Sequence, residues 1–218
     1  MMRLISLNVG LPREVTWRGR PVYTAIFKSP VTYTLPLRGY NFEGDAQADL
    51  TVHGGPDKAV YAYPSEHYAD WRARLGRELD FGMFGENLTT EGLTEDSVHI
   101  GDEFRIGTAR IVVTQPRLPC FKLGLRFDDP GMVRTFTKVE RPGIYFAVLE
   151  EGTVTPGDLI ERVSEDGHHV SVVEVFRMVL DLHVGEDALQ RALRPKHLAE
   201  VLRLELQSRL DSFDRERS

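Results

Sequence analysis

Thiols are nearly absent. The 218-residue chain holds one cysteine, Cys120, which excludes an internal disulfide framework, a multi-thiolate zinc site and an iron–sulfur cluster. Long apolar runs are missing as well. None approaches the roughly 20 residues that span a bilayer. The amino-terminal Leu4-Ile5-Ser6-Leu7-Asn8-Val9-Gly10 is interrupted at Ser6 and Asn8, as a first strand is and a secretory signal is not. Positive charge is in deficit: 27 Lys and Arg stand against 33 Asp and Glu, a formal net charge of −6. The basic footprint of a duplex-binding protein is therefore lacking, and neither nucleic acid nor a membrane is an expected partner. HExxH and GxSxG patterns are absent, as are the glycine spacings of a P-loop or a dinucleotide fingerprint. What remains is 41% hydrophobic and 28% charged, enough apolar material for a packed core. The expected compartment is the reducing cytoplasm, where a lone thiol persists.

Glycine and proline punctuate the first three quarters of the chain at short intervals. Between them lie strand-like runs at 22–27, 31–35, 103–106, 109–114 and 143–149, followed by 150–154 as turn and strand. Gly107-Thr108 reads as a hairpin turn, the glycine supplying a positive φ. One helix is expected to interrupt this region, opening at Pro64 and ending at Gly76, with Tyr68, Trp71 and Leu75 on one face. Composition changes at Ser164. After the polar Glu165-Asp166-Gly167-His168-His169, read as a solvated turn, Ser171 and Glu174 form a capping box. Its Val-rich continuation reads equally as helix or strand. A second helical patch covers 186–193. A third is expected to open at Pro195 and carry Leu198, Leu202, Leu206, Leu210 and Phe213 on one stripe. The expected fold class is α+β, mainly β: a β-rich domain over 1–164, barrel or sandwich, followed by a small three-helix domain over 165–218.

Three segments carry residues with chemistry. Gln115-Pro116-Arg117-Leu118-Pro119-Cys120-Phe121-Lys122 puts the thiol on a proline-stiffened loop after a strand, flanked by two cations. Nearby cations favour the thiolate, a nucleophile and a soft metal ligand, although many free cysteines are simply small buried hydrophobes. His53-Gly54-Gly55-Pro56-Asp57-Lys58 allows close backbone approach to an anion, with Lys58 as a point charge; a tight turn explains it equally well. Phe84-Gly85-Glu86-Asn87-Leu88-Thr89 offers Asn87 for a heterocycle edge, or an Asn-stabilised turn. Arg117, Lys58 and Lys122 are expected to converge with His53 on one anion-binding cavity, as surface cations that contribute little to stability.

Together and in this order, these blocks resemble the MOSC domain, named for the carboxy-terminal domain of molybdenum cofactor sulfurases. The likeness runs from Val52-His53-Gly54-Gly55-Pro56-Asp57-Lys58-Ala59-Val60 through Phe84-Gly85-Glu86-Asn87-Leu88, Ile100-Gly101-Asp102 and Arg117-Leu118-Pro119-Cys120 to Arg141-Pro142-Gly143-Ile144-Tyr145-Phe146 and Pro156-Gly157-Asp158. The amino-terminal strand and Ile26-Phe27-Lys28 resemble the stand-alone bacterial YiiM type in particular, which carries a carboxy-terminal "3-alpha" domain. Two departures are visible: Ala147 stands where arginine is frequent, and Phe121 where tryptophan is common. Both bear on substrate selectivity.

The resemblance implies a β-barrel-like MOSC fold and a molybdenum cofactor, a pyranopterin dithiolene carrying molybdenum, with Cys120 as both metal ligand and catalytic residue. It implies that His53, Gly54, Gly55, Asp57, Lys58, Asn87, Arg117 and Lys122 line the cofactor cavity. A family-level association with pyridoxal phosphate comes with it. The implied activity is reduction of small N-hydroxylated compounds, such as 6-hydroxylaminopurine-type base analogues, to amines. Electrons would come from a separate reductase of the flavoprotein kind, because the chain has no flavin, haem or iron–sulfur motif of its own. A cofactor carrier without turnover and a thiol-based sensor are the rival readings.

Overall fold

A computed structural model describes residues 1–48, 54–181 and 184–216. In chain order the elements are β1 (Met2–Val9), β2 (Arg13–Trp17), β3 (Arg20–Thr24), β4 (Ser29–Val31), β5 (Leu35–Leu37), β6 (Val60–Pro64), α1 (Glu66–Leu75), β7 (Leu88–Glu91), β8 (Glu103–Ile106), β9 (Ala109–Pro116), α2 (Phe121–Phe127), α3 (Met132–Val139), β10 (Ile144–Glu150), β11 (Gly152–Val154), β12 (Leu159–Ser164), α4 (Val172–Leu180), α5 (Glu186–Ala192) and α6 (Glu200–Glu216). Strands run in the order β12-β8-β9-β10-β6-β7-β1, and β12 pairs back onto β1, so the sheet closes into a barrel. Closure removes the unpaired edges an open sheet would expose. β4 hangs on β1, while β2–β3 and β5–β11 form small separate ribbons. All barrel pairings are antiparallel except β6–β7, which are parallel and joined across α1. The hairpin between β8 and β9 turns at Gly107, whose φ is 55°.

Strand β6 is buried on both sides. Val60 and Ala62 face the barrel interior with Leu4, Leu88, Phe104, Ile111, Ile144 and Phe146. Tyr61 and Tyr63 face the opposite way, into an aromatic cluster beneath α1, α2 and α3. There Tyr63 stacks on Phe84 at 4.3 Å, and Trp71 lies parallel to Phe136 at 5.9 Å. The Trp71 indole donates to Tyr63 Oη at 2.6 Å, which satisfies a buried N–H at no cost to packing.

Several local expectations change. Three α-helices, not one, lie among the described residues before Ser164; α2 and α3 are short and were hidden by glycine and proline on their flanks. Pro64 closes β6 and Ser65 stands at the helix start, with Gly76 at φ 62° ending α1 as expected. The 22–27 strand stops at Thr24, and 31–35 divides into β4 and β5. The third carboxy-terminal helix begins at Glu200, five residues after Pro195. The capping box is present: Ser171 Oγ accepts from Glu174 N at 3.3 Å, and Glu174 Oε2 accepts from Ser171 N at 3.0 Å. It settles the Val-rich segment as the helix α4.

Secondary structure changes character after β12, but the apolar core crosses that point. Val172, Val175, Met178, Leu189, Ala192, Leu198, Leu202 and Leu206 belong to the same buried cluster as the barrel interior. Among the described residues no helix is long and apolar enough to cross a membrane. Leu206→Ala should therefore destabilise the whole molecule by about 2–5 kcal/mol. Both tryptophans, Trp17 and Trp71, lie on the barrel side of the boundary. Urea unfolding followed by tryptophan fluorescence and by helical circular dichroism should show one coincident, shifted transition; a helical transition that precedes the fluorescence change would contradict the shared core.

Candidate functional site

Cys120 sits where β9 leaves the barrel and α2 begins. It occupies the residue before the helix in an extended conformation (φ −127°, ψ 173°), and its carbonyl accepts from Leu123 N at 2.9 Å. The thiol is half-buried between two adjoining cavities. The smaller, about 110 Å³, is lined by Lys28, Asp45, Lys58, Asn87, Arg117 and Lys122 among others. The larger, about 570 Å³, lies between the Gly54–Lys58 turn, the Cys120 loop and helix α6. Lys58, Leu118, Cys120 and Tyr145 line both. The structure thus brings Lys58, Asn87, Arg117, Cys120 and Lys122 together from segments far apart in sequence. Gly54, Gly55 and Asp57 face the larger cavity. His53 lies outside the described residues.

Arg117 corrects the sequence reading. It is not a surface cation but a buried one. Its Nη1 donates to Phe84 O at 2.7 Å, and its guanidinium lies 5.1 Å from the Tyr61 ring and 5.6 Å from that of Phe136. Among the described residues no carboxylate forms an ion pair with it. Burial opposes its charge, but Tyr61, Tyr145 and Cys120 more than offset this and hold it above the usual arginine value. A buried cation whose electrostatic neighbours include the thiol favours a thiolate there. Burial lowers Lys58 below the ordinary lysine value, against the opposing pull of Asp57. Burial likewise raises Tyr61 and Tyr145, so both rings keep their phenolic protons at neutral pH.

The Asn87 amide lines the smaller cavity, yet its polar atoms are spent inside the protein. Oδ1 accepts from Tyr61 N at 3.2 Å; Nδ2 donates to Asp45 Oδ2 at 2.8 Å and to Asn8 O at 3.4 Å. Asn87 therefore positions other groups rather than offering a free edge. Beside it Glu86 is fully buried and accepts from Tyr68 Oη at 2.5 Å, Gly82 N at 2.8 Å, Phe84 N at 3.1 Å and Thr89 Oγ1 at 2.8 Å. Gly85 has φ 79°, and a Cβ there would meet Ile26 Cγ1 at 2.9 Å. The loop can close only around a glycine.

The Gly54–Lys58 turn contains a short 3-10 helix, Pro56–Lys58, and is fastened at both ends. Gln47 accepts from Gly55 N at 3.1 Å and donates to Lys58 O at 3.0 Å. The Asp57 carbonyl accepts from Thr114 Oγ1 at 2.7 Å, and its carboxylate accepts from Glu200 N at 3.3 Å. Asp57 thus ties the turn to β9 and to α6. Sequence reasoning missed the buried pair Lys28–Asp45, at 2.5 Å and 2.6 Å to the two carboxylate oxygens, along with Gln47, Tyr61 and Tyr145. The alternation in Val60-Tyr61-Ala62-Tyr63 was the signal available for Tyr61. Nothing local marked Asp45 or Gln47.

These environments separate the two cations. Arg117→Ala removes buried packing and a charge-assisted hydrogen bond, and should cost about 2–4 kcal/mol. Lys58→Ala should cost less than about 1 kcal/mol. Chemical denaturation of the two variants beside the wild type checks both. Equal stability losses would remove the distinction between a buried and a half-exposed cation.

Residues 49–161 match the family model described as the MOSC domain. The chain is 42% identical over 210 residues to uncharacterized protein YflK of Bacillus subtilis, covering 95% of this chain and 94% of that one. It is 36% identical to protein YiiM of Escherichia coli, over 88% of this chain and 85% of that one. A reductase of Gibberella moniliformis is 33% identical over 175 residues, 78% of this chain but 31% of the relative's length. The crystal structure of YiiM from Geobacillus stearothermophilus superposes with a TM-score of 0.81 at 33% identity, covering 96% of this chain and all of that one. That of YiiM from Escherichia coli gives 0.79 at 30%, covering 97% and 94%. With its closed β-barrel, helical carboxy terminus and lone thiol among cations, the chain belongs to the MOSC domain family, a molybdenum-cofactor-related family, and is of the YiiM type.

Proposed function

We propose that the chain is a molybdenum-cofactor-dependent reductase that converts small N-hydroxylated compounds to amines with electrons from a separate reductase. The observation that carries the reading is Cys120, half-buried between two cavities beside a buried arginine that no described carboxylate neutralises. The donor set fits the cofactor. Cys120 Sγ is a soft ligand suited to a redox metal. Arg117, Lys58 and Lys122 supply positive charge for a phosphate, Arg117 as a planar fork and the lysines as point charges. The larger cavity falls within the ~300–1,000 Å³ usual for small-molecule sites. The kinship with a protein named reductase supports the oxidoreductase class.

Bound at Cys120, the molybdenum cofactor would supply two-electron oxygen-atom chemistry, by which an N–OH group, two electrons and two protons give an N–H group and water. The protein's part is binding, orientation and charge. Arg117 holds its charge beside the sulfur and favours the thiolate over the thiol. Tyr145 lines both cavities and keeps its phenolic proton, so it can donate a hydrogen bond to an oxygen leaving nitrogen. Lys58 Nζ, lowered by burial, gives up a proton more readily than an ordinary lysine. Pro116 and Pro119 stiffen the loop that presents the sulfur.

Cys120→Ser exchanges a soft thiolate for a hard hydroxyl in nearly the same volume. It should keep the fold, moving stability by no more than about 1–2 kcal/mol, and lose turnover. The measurement is reduction of a hydroxylaminopurine by cofactor-loaded protein with a chemical electron donor, wild type beside variant. Equal rates would overturn the role of Cys120. A fully metal-loaded wild type without activity would favour a carrier.

A further inference from the structure

We propose that His99, Glu165 and His169 form a second metal site, independent of Cys120. It would bind a borderline divalent transition-metal ion, zinc in the first instance, and clamp the last barrel strand to the start of the helical segment. One ligand atom from each of the three residues lies within 4.8 Å of the others. Glu165 Oε1 is 3.9 Å from His99 Nδ1 and 3.7 Å from His169 Nδ1. Tetrahedral zinc, with ligands at ~2.0–2.2 Å, needs ligand atoms about 3.3–3.5 Å apart. Side-chain swings of up to about 1.5 Å by Glu165 and His169, both exposed, close the difference.

The second observation is the state of His99. Its Nδ1 is shielded from solvent and has no hydrogen-bond partner among the described residues; Asp102 Oδ2 stands 3.5 Å away, too far for a good bond. A shielded ring nitrogen left without a partner is costly in either tautomer, and in the tautomer with a lone pair at Nδ1 a metal ion would satisfy it. Backbone contacts hold the ligands' segments in place. Asp102, fully buried, accepts from His99 N at 3.0 Å and from Asp166 N at 2.9 Å. His169 adopts φ 49°, a left-handed conformation uncommon for histidine, and its N–H bonds Asp166 O at 3.2 Å. The His99 loop also bridges to Ser171, where α4 begins. Arg162 lies 3.6 Å from Asp102 and donates to the same Glu165 Oε1 at 3.3 Å; two carboxylates share that one guanidinium, and a metal ion at Oε1 would take its place. Imidazole nitrogen with a carboxylate suits zinc better than calcium or magnesium.

The sequence reading took His168-His169 as a solvated turn. His168 does bond Asp166, at 2.9 Å, whereas His169 turns toward His99, their rings 5.3 Å apart. The decisive test titrates chelator-stripped full-length protein with Zn²⁺ by calorimetry, in wild type, His169→Asn, Glu165→Gln and Cys120→Ser, with Co²⁺ absorption as a second readout. His169→Asn retains a residue that tolerates the left-handed conformation, so it should fold. The expected result is one site, at least tenfold weaker in His169→Asn and in Glu165→Gln. It should be unchanged in Cys120→Ser, and its Co²⁺ spectrum should lack a thiolate charge-transfer band. Zinc at about 100 times its dissociation constant should also raise the wild-type melting temperature by roughly 5–10 °C. Binding that survives both ligand variants, or disappears in Cys120→Ser, overturns the site.

Discussion

Strand β6 has no solvent face, and the rest of the molecule is arranged around that constraint. Five consecutive residues, Val60 to Pro64, are buried. Alternation sends Val60 and Ala62 into the barrel and Tyr61 and Tyr63 into the aromatic layer, so one short strand is the wall shared by two cores. The barrel could close without the second layer, but Tyr61 and Tyr63 would then be stranded in water. α1 to α3 exist as packed helices because they cover those rings. The loop carrying Cys120 runs directly into α2, so the sulfur's position follows from the same covering.

The site is built from charges that the fold keeps out of water. Lys28 with Asp45, Glu86 with four donors, and Arg117 over two aromatic rings each cost desolvation that their partners only partly return. Such groups are weak evidence for stability. Their consequence here is geometric: Asn87 links Asp45, Tyr61 and Asn8, and Glu86 gathers the backbone that accepts from Arg117. The cavity wall is thereby held by hydrogen bonds that tolerate little displacement. Arg117 is the exception, a buried cation with no described acid, and it lies beside the thiol. A guanidinium without a described acid partner favours negative charge on its neighbours.

The helical carboxy terminus is part of this arrangement. Asp57 accepts from Glu200 N, so the turn that carries Lys58 leans on the start of α6. Val201, Leu202 and Glu205 wall the larger cavity opposite Cys120. Leu202 and Leu206 meanwhile sit in the barrel's own core. A change in α6 would thus be felt at the site through packing as well as through the cavity wall.

Much of this was legible along the chain. The β-rich first three quarters, the glycine hairpin, the capping box and the leucine stripe of α6 follow from spacing and residue type, because they are local; the association of the Gly54–Lys58, Phe84–Leu88 and Arg117–Lys122 blocks was implied by the family resemblance that their order carries. The short helices α2 and α3 did not, since seven or eight residues between Gly and Pro signals give too little periodicity. Neither did the burial of Arg117, the saturation of the Asn87 amide or the pairing of Lys28 with Asp45. Those depend on which groups meet across a closed barrel, and a sequence does not record the distance between residues 28 and 45 or 84 and 117. Sequence alone determined the kind of protein and the atom on which its proposed chemistry turns. Tertiary structure decided which charges lie in water and which do not, because desolvation is a property of the packed molecule and not of any residue in it.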